Sequence, residues 1–117
     1  MASPLAGDRG DSHYWDHDND NTAAVVTLSA PGSELVWRII EIFYGYDTTP
    51  ASATTLQIQL DGSQDVKKIP VTGAGANKLT PIGMFGQKNS DVVITLPAGG
   101  ASVNGYLDVQ AVKVPQA

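Results

Sequence analysis

Two histidines, His13 and His17, stand four positions apart among Asp16, Asp18 and Asp20. Imidazole with carboxylate suits zinc, and closely spaced acids suit calcium, so these five are the candidate metal ligands. A twelve-residue calcium loop counted from Asp16 would need glycine at its sixth position, where Asn21 stands, and a bidentate acid at its twelfth, where Thr27 stands. The competing reading is a solvated acidic tether, and the expectation is no bound metal and no cofactor. Just upstream, Arg9-Gly10-Asp11-Ser12 contains the tripeptide that integrins recognise. A motif this short arises by chance, and a chain with no cysteine and no secretory leader is ill suited to an animal matrix.

Past residue 17 there is no histidine, and cysteine is absent throughout. Ser–His–acid and Cys–His arrays are therefore closed to the rest of the chain, as are cupin-type histidine centres. Glu34, Glu41, Asp47, Asp61, Asp65, Asp91 and Asp108 remain for a glycosidase-like acid pair. Most of them fall at turns or outward strand positions, where acids occur anyway, so the expectation is a protein that is not an enzyme. Gly73-Ala74-Gly75-Ala76 lacks the Lys-Ser/Thr and the following helix of a phosphate loop. Trp37, Phe43, Tyr44, Tyr46 and Tyr106 offer a platform on which a sugar ring stacks, which keeps a glycan-binding module as an alternative. Trp37 is expected in the core, whereas Tyr44 and Tyr46, near a strand end, are expected at the surface as partner-binding residues beside Tyr14 and Trp15.

What must position these residues is a β framework. Thr22–Ala30, Leu35–Tyr46, Thr54–Leu60, Asp65–Val71, Leu79–Phe85, Asp91–Leu96 and Ser102–Val114 read as strands, each bounded by Gly, Pro, Asn or Asp. Leu56, Ile58 and Leu60 alternate with polar neighbours. In the long strand the apolar parity shifts at Ile39-Ile40, which predicts a β-bulge near Ile40. Asp61-Gly62 reads as a hairpin turn, Pro70 marks an edge strand or a strand end, and Gly73–Asn77 reads as a break. No stretch reads as a helix. The fold class expected is all-β, a single antiparallel β-sandwich or jelly roll of seven or eight strands with an extended N-terminal arm.

With 117 residues and 42% apolar content the chain suffices for one core. Its net charge of −5 and the lack of any long apolar run argue against nucleic-acid and membrane partners. Residues 1–20 carry five acids and one base, so most of the net charge sits in a polar acidic arm, residues 1–21, ahead of a β domain at 22–117. Left alone such an arm is mobile; its natural anchors are Tyr14 and Trp15. The N-terminus has neither a basic nor an apolar leader region, so synthesis in a cytoplasm is expected.

Several segments together resemble small virion proteins of tailed bacteriophages. They are Leu35–Tyr46 with its tryptophan, Leu56-Gln57-Ile58-Gln59-Leu60-Asp61-Gly62, Ile69-Pro70-Val71-Thr72, Asp91–Gly100 ending in Pro-Ala-Gly-Gly, and Gly105-Tyr106-Leu107-Asp108-Val109. The resemblance covers roughly residues 33–114 and implies a capsid decoration (cement) protein. Such a protein binds the major capsid protein lattice, stabilises the head, and sits on the capsid surface of the virion after synthesis in the host cytoplasm. It also implies a homo-oligomer, a trimer being one option. A tail or head-fibre component is the alternative within the virion.

Overall fold

The computed structural model describes residues 12–17, 21–60 and 66–115. Among them lie eight strands: β1 (Ser12–His17), β2 (Ala24–Leu28), β3 (Leu35–Tyr46), β4 (Thr54–Gln59), β5 (Val66–Val71), β6 (Gly75–Leu79), β7 (Val92–Leu96) and β8 (Gly105–Pro115). All pairings are antiparallel, and they build two four-stranded sheets: sheet A, ordered β1-β8-β3-β6, and sheet B, ordered β2-β7-β4-β5. The connectivity is that of one long hairpin whose rungs are β1 with β8, β2 with β7, β3 with β6 and β4 with β5. Rolling it up sets β8 beside β3 and β7 beside β4, which makes the chain a jelly roll.

Period-two alternation decides what the two sheets bury. β2 and β7 place Ala24, Val26, Leu28, Val92, Ile94 and Leu96 inward, β4 adds Leu56 and Ile58, and β8 adds Leu107, Val109 and Ala111. β3 contributes Trp37 and Ile39, then Ile42, Tyr44 and Tyr46, a change of parity made by a register shift between Ile39 and Glu41 opposite Ala111 and Gln110. This is the bulge expected at Ile40. The Trp37 indole N–H donates to the Ser29 carbonyl at 2.8 Å, so the largest core ring is buried without an orphaned donor.

Three expectations need correcting. First, Ser12–His17, placed in the arm, pairs along its whole length with Tyr106–Ala111 of β8 and forms an edge of sheet A. The strand has little apolar alternation because its inward positions are Tyr14, which packs edge-on against Trp37 with ring centroids 5.8 Å apart, and Asp16, whose carboxylate accepts the Val25 N–H. The body therefore takes its first strand from inside the arm; residues 1–11 and 18–20, with Arg9-Gly10-Asp11, Asp18 and Asp20, lie outside the described residues. Second, the break expected at Gly73–Asn77 is largely strand, since β6 pairs with Ile42–Tyr46. Its small and polar side chains give no sequence signal; backbone pairing holds it, with Leu79 at its end packed against the core. Third, the strand expected at Leu79–Phe85 ends at Leu79, and beyond it only Phe85 bridges to Arg38, because Pro81 and a left-handed Gly83 (φ 76°) prevent a ladder. The Asp61-Gly62 turn also lies outside the described residues, but the strands it was read to join, β4 and β5, do pair, and Pro70 lies on an edge strand as expected.

Candidate functional site

Strand alternation sorts the N-terminal candidates. β1 directs Tyr14 and Asp16 toward the body and exposes His13, Trp15 and His17 on the outer face of sheet A. Four strand residues span about 13 Å, so His13 and His17 share a face without sharing a metal. Asp16 points the other way, where its Oδ2 accepts the Val25 N–H at 2.9 Å. Among the described residues no three His, Cys, Asp or Glu side chains converge on a point.

The bulge sorts the aromatic candidates. Tyr44 and Tyr46 run in phase with Ile42 and are 8% and 2% exposed, so the expected surface position of both is overturned. Tyr46 ties the two sheets together: its hydroxyl donates to the Pro97 carbonyl at 2.6 Å and lies 3.0 Å from Thr54 Oγ1. The Pro-Ala-Gly-Gly and Gly-Tyr-Leu segments are built around this ring. A Cβ on Gly99 would lie 3.0 Å from the Tyr46 ring and 2.6 Å from Val103 Cγ1, and one on Gly105 would lie 3.4 Å from the same ring.

Phe43, out of phase with Ile42, faces solvent. Register sets the rows across the outer face of sheet A: Trp15, Asp108, Phe43 and Lys78 lie opposite one another, and His17, Tyr106, Gly45 and Ala76 form the next row. Further along, Phe85 faces Arg38. Trp15, Phe43, Phe85 and Tyr106 are 52, 43, 45 and 44% exposed, and all four belong to this one face. Among the described residues the other large exposed hydrophobics are Val25 and Ile82, and Ile82 tips the connection that leads into Phe85. That connection is braced on β3: Ile39 N–H donates to Met84 O, Gly86 N–H to Trp37 O and Asn89 N–H to Leu35 O, at 2.8 to 2.9 Å.

At the Gly45 end of the face lies an open groove of about 320 Å³. Phe43, Tyr106 and Asp108 flank it, and Gly45, Gly75 and Ala76 leave it without bulky side chains. Gly45 is required by the pairing itself, since a Cβ there would run into the Gly75 carbonyl of β6. The His17 ring meets Tyr106 edge-on with centroids 5.0 Å apart, and its Nε2 is 3.7 Å from Asp108 Oδ1. Asp47, at the groove's end, accepts the Asn104 backbone N–H at 2.8 Å and its side-chain amide at 2.9 Å. Those two bonds, the backbone one foremost, hold the Asp47 carboxyl below its ordinary value of 3.8.

Phe43 and Tyr106 belong to the platform read from the sequence; the parity shift at Ile40 separates Phe43 from Tyr44 and Tyr46, and alternation with Leu107, Val109 and Ala111 turns Tyr106 outward. Phe85 and Ile82 carried no such signal, because their exposure depends on how the loop is braced.

No protein-family model and no curated protein matches the chain. Solved structures do show a likeness. A family 16 carbohydrate-binding module aligns at TM-score 0.44 and 11% identity over 84% of this chain and 74% of its own. A Bacillus endospore appendage protein, described as forming disulfide-linked pili, aligns at 0.41 and 15% over 92% and 88%. The Tobacco streak virus coat protein aligns at 0.39 and 10% over 93% and 89%. These likenesses concern the arrangement of strands and carry no argument about what this chain binds.

Proposed function

We propose that this chain is a virion structural protein of the capsid-decoration type, which binds the major capsid protein lattice and stabilises the head. The observation that carries the reading is the apolar projection at the Phe85 end of sheet A. Ile82 is wholly exposed, Phe85 three residues on is half-exposed, and backbone bonds from Met84 and Gly86 to β3 hold the chain on either side of Phe85. An apolar projection of this kind gains from being covered by a partner, and its braced Phe85 end loses little ordering entropy on docking. The body's resemblance to small tailed-phage virion proteins supplies the class of partner. Each projection is small, so many copies on one particle gain retention from multivalency, for which a homo-oligomer suffices.

The test is a titration of undecorated particles of the parent virus with the purified chain, scored by co-sedimentation and by copy number per particle. Saturation at a copy number matching the capsid's symmetry, with loss of binding in an Ile82→Asp, Phe85→Asp variant, is the expected result. Saturation at a handful of copies would move the chain to a tail or head-fibre position, and absence from particles would end the virion reading.

A further inference from the structure

The groove at the opposite end of the same face has a different chemistry. Its walls are aromatic, its floor is backbone and one methyl group, and its polar side chains are tyrosines and carboxylates; no basic side chain lines it among the described residues. Of those carboxylates, Asp47 is committed to Asn104 through both oxygens, whereas Asp108 meets only His17 among the described residues, at the long distance of 3.7 Å. Asp108 is 42% exposed as a side chain and stands between Trp15 and Phe43 in its row, with Tyr106 diagonal to both.

We infer that this groove binds a neutral sugar ring, stacked on Tyr106 or Phe43 and held by hydroxyl donation to the Asp108 carboxylate. A sugar presents a flat face of C–H groups to an aromatic ring and donors around its rim, which fits aromatic walls beside an exposed carboxylate acceptor. At Gly75 a Cβ would meet nothing within 4 Å, so its bare backbone lets a ring approach the sheet closely, and about 320 Å³ is at the small end of ligand clefts, the size for a short saccharide. Two carboxylates with no lining cation repel phosphorylated, sulfated or uronic ligands. His17, edge-on to Tyr106, fixes the ring that does the stacking. This site stands apart from the Ile82–Phe85 projection, so it does not rest on the virion reading.

Trp15 makes the test direct, because it is exposed on this face while Trp37 is buried. The full chain is titrated with cellotetraose, mannotetraose and tri-N-acetylchitotriose, read by tryptophan emission and by calorimetry. A saturable change with at least one of them is expected, weakened about tenfold by Tyr106→Ala or Phe43→Ala and retained in Tyr106→Phe. Asp108→Asn should weaken it several-fold, and a sulfated form of the same saccharide should bind less well than the neutral one. Both aromatics are on the outer face, so unchanged near-ultraviolet dichroism confirms that the variants fold, and Trp15→Phe removes the optical signal while leaving the heat. No saturable change with any saccharide, or binding indifferent to Tyr106→Ala and Phe43→Ala, overturns the inference. So does tetralysine binding where the sugars do not, which would assign the aromatic face to a cation. Ile82→Asp, Phe85→Asp should bind sugar normally, so a failure of lattice docking and a failure of sugar binding are read separately.

Discussion

Tyr46 and Asp47 adjoin in sequence and fasten the same end of the sandwich in different ways. The Tyr46 hydroxyl supplies Pro97, just past β7 of sheet B, with a donor from β3 of sheet A. Tyr46→Phe keeps the ring between Gly99 and Gly105 but leaves that carbonyl without its donor, so chemical denaturation should show a loss of about 1–3 kcal/mol. Gly99→Ala should cost about as much for the opposite reason, since the added methyl overlaps Val103 and the Tyr46 ring. Asp47 acts through charge. Its folded pKa is lowered, so its contribution is fully present above the unfolded value of 3.8 and disappears as the pH falls through the folded one. Asp47→Asn retains one acceptor for the Asn104 backbone N–H but turns an amide toward the Asn104 side chain. Melting curves should therefore show the variant less stable than the parent at neutral pH, with the gap closing as the medium is acidified below pH 3.8.

At the scale of elements, β1 makes the sharpest claim, because neighbouring aromatics on it have opposite roles. Tyr14 covers the Trp37 ring from one side, with Lys113 Nζ 5.6 Å from the ring centroid, and Trp15 stands in solvent. Tyr14→Ala should cost about 1–3 kcal/mol and shift Trp37 emission to the red, while Trp15→Ala should leave stability within about 0.5 kcal/mol. Removing residues 1–17 should expose the β8 edge and produce oligomers by strand addition, visible in light scattering. Which strands could be read in advance follows from the same physics. β4 and β7 alternate because one face of each is wholly buried, and the bulge in β3 was legible because a twelve-residue apolar strand makes a slip of one residue visible. β6 and β1 escaped because an edge strand held by backbone pairing need not alternate. Leu79–Phe85 misled for the converse reason: apolar letters gathered there for a projecting loop. The aromatic face was half legible, since strand alternation and the parity shift at Ile40 turn Phe43 and Tyr106 outward, whereas Trp15 and Phe85 join them only through pairing with β8 and β3.

For the molecule as a whole, the exposed rings are unevenly distributed, gathered on the outer face of sheet A. If docking rests on the Ile82 and Phe85 projection, retention on particles should barely change between low and high salt, because apolar contact is not screened; a steep loss with added salt would point to charge pairing instead. The strand order has a further consequence for biosynthesis. β8 is made after the seven other strands, yet it lies between β1 and β3 and hydrogen-bonds to both. While the ribosome is still short of Gly105, the closed end of the hairpin, β4 with β5 and β7, has all its partners, but Trp15 and Phe43 have no strand to bring them together. Trp15, Phe43 and Tyr106 are therefore drawn onto one face in a single late step, when β8 pairs with β1 and β3, and a chain arrested before Gly105 lacks both that face and its groove.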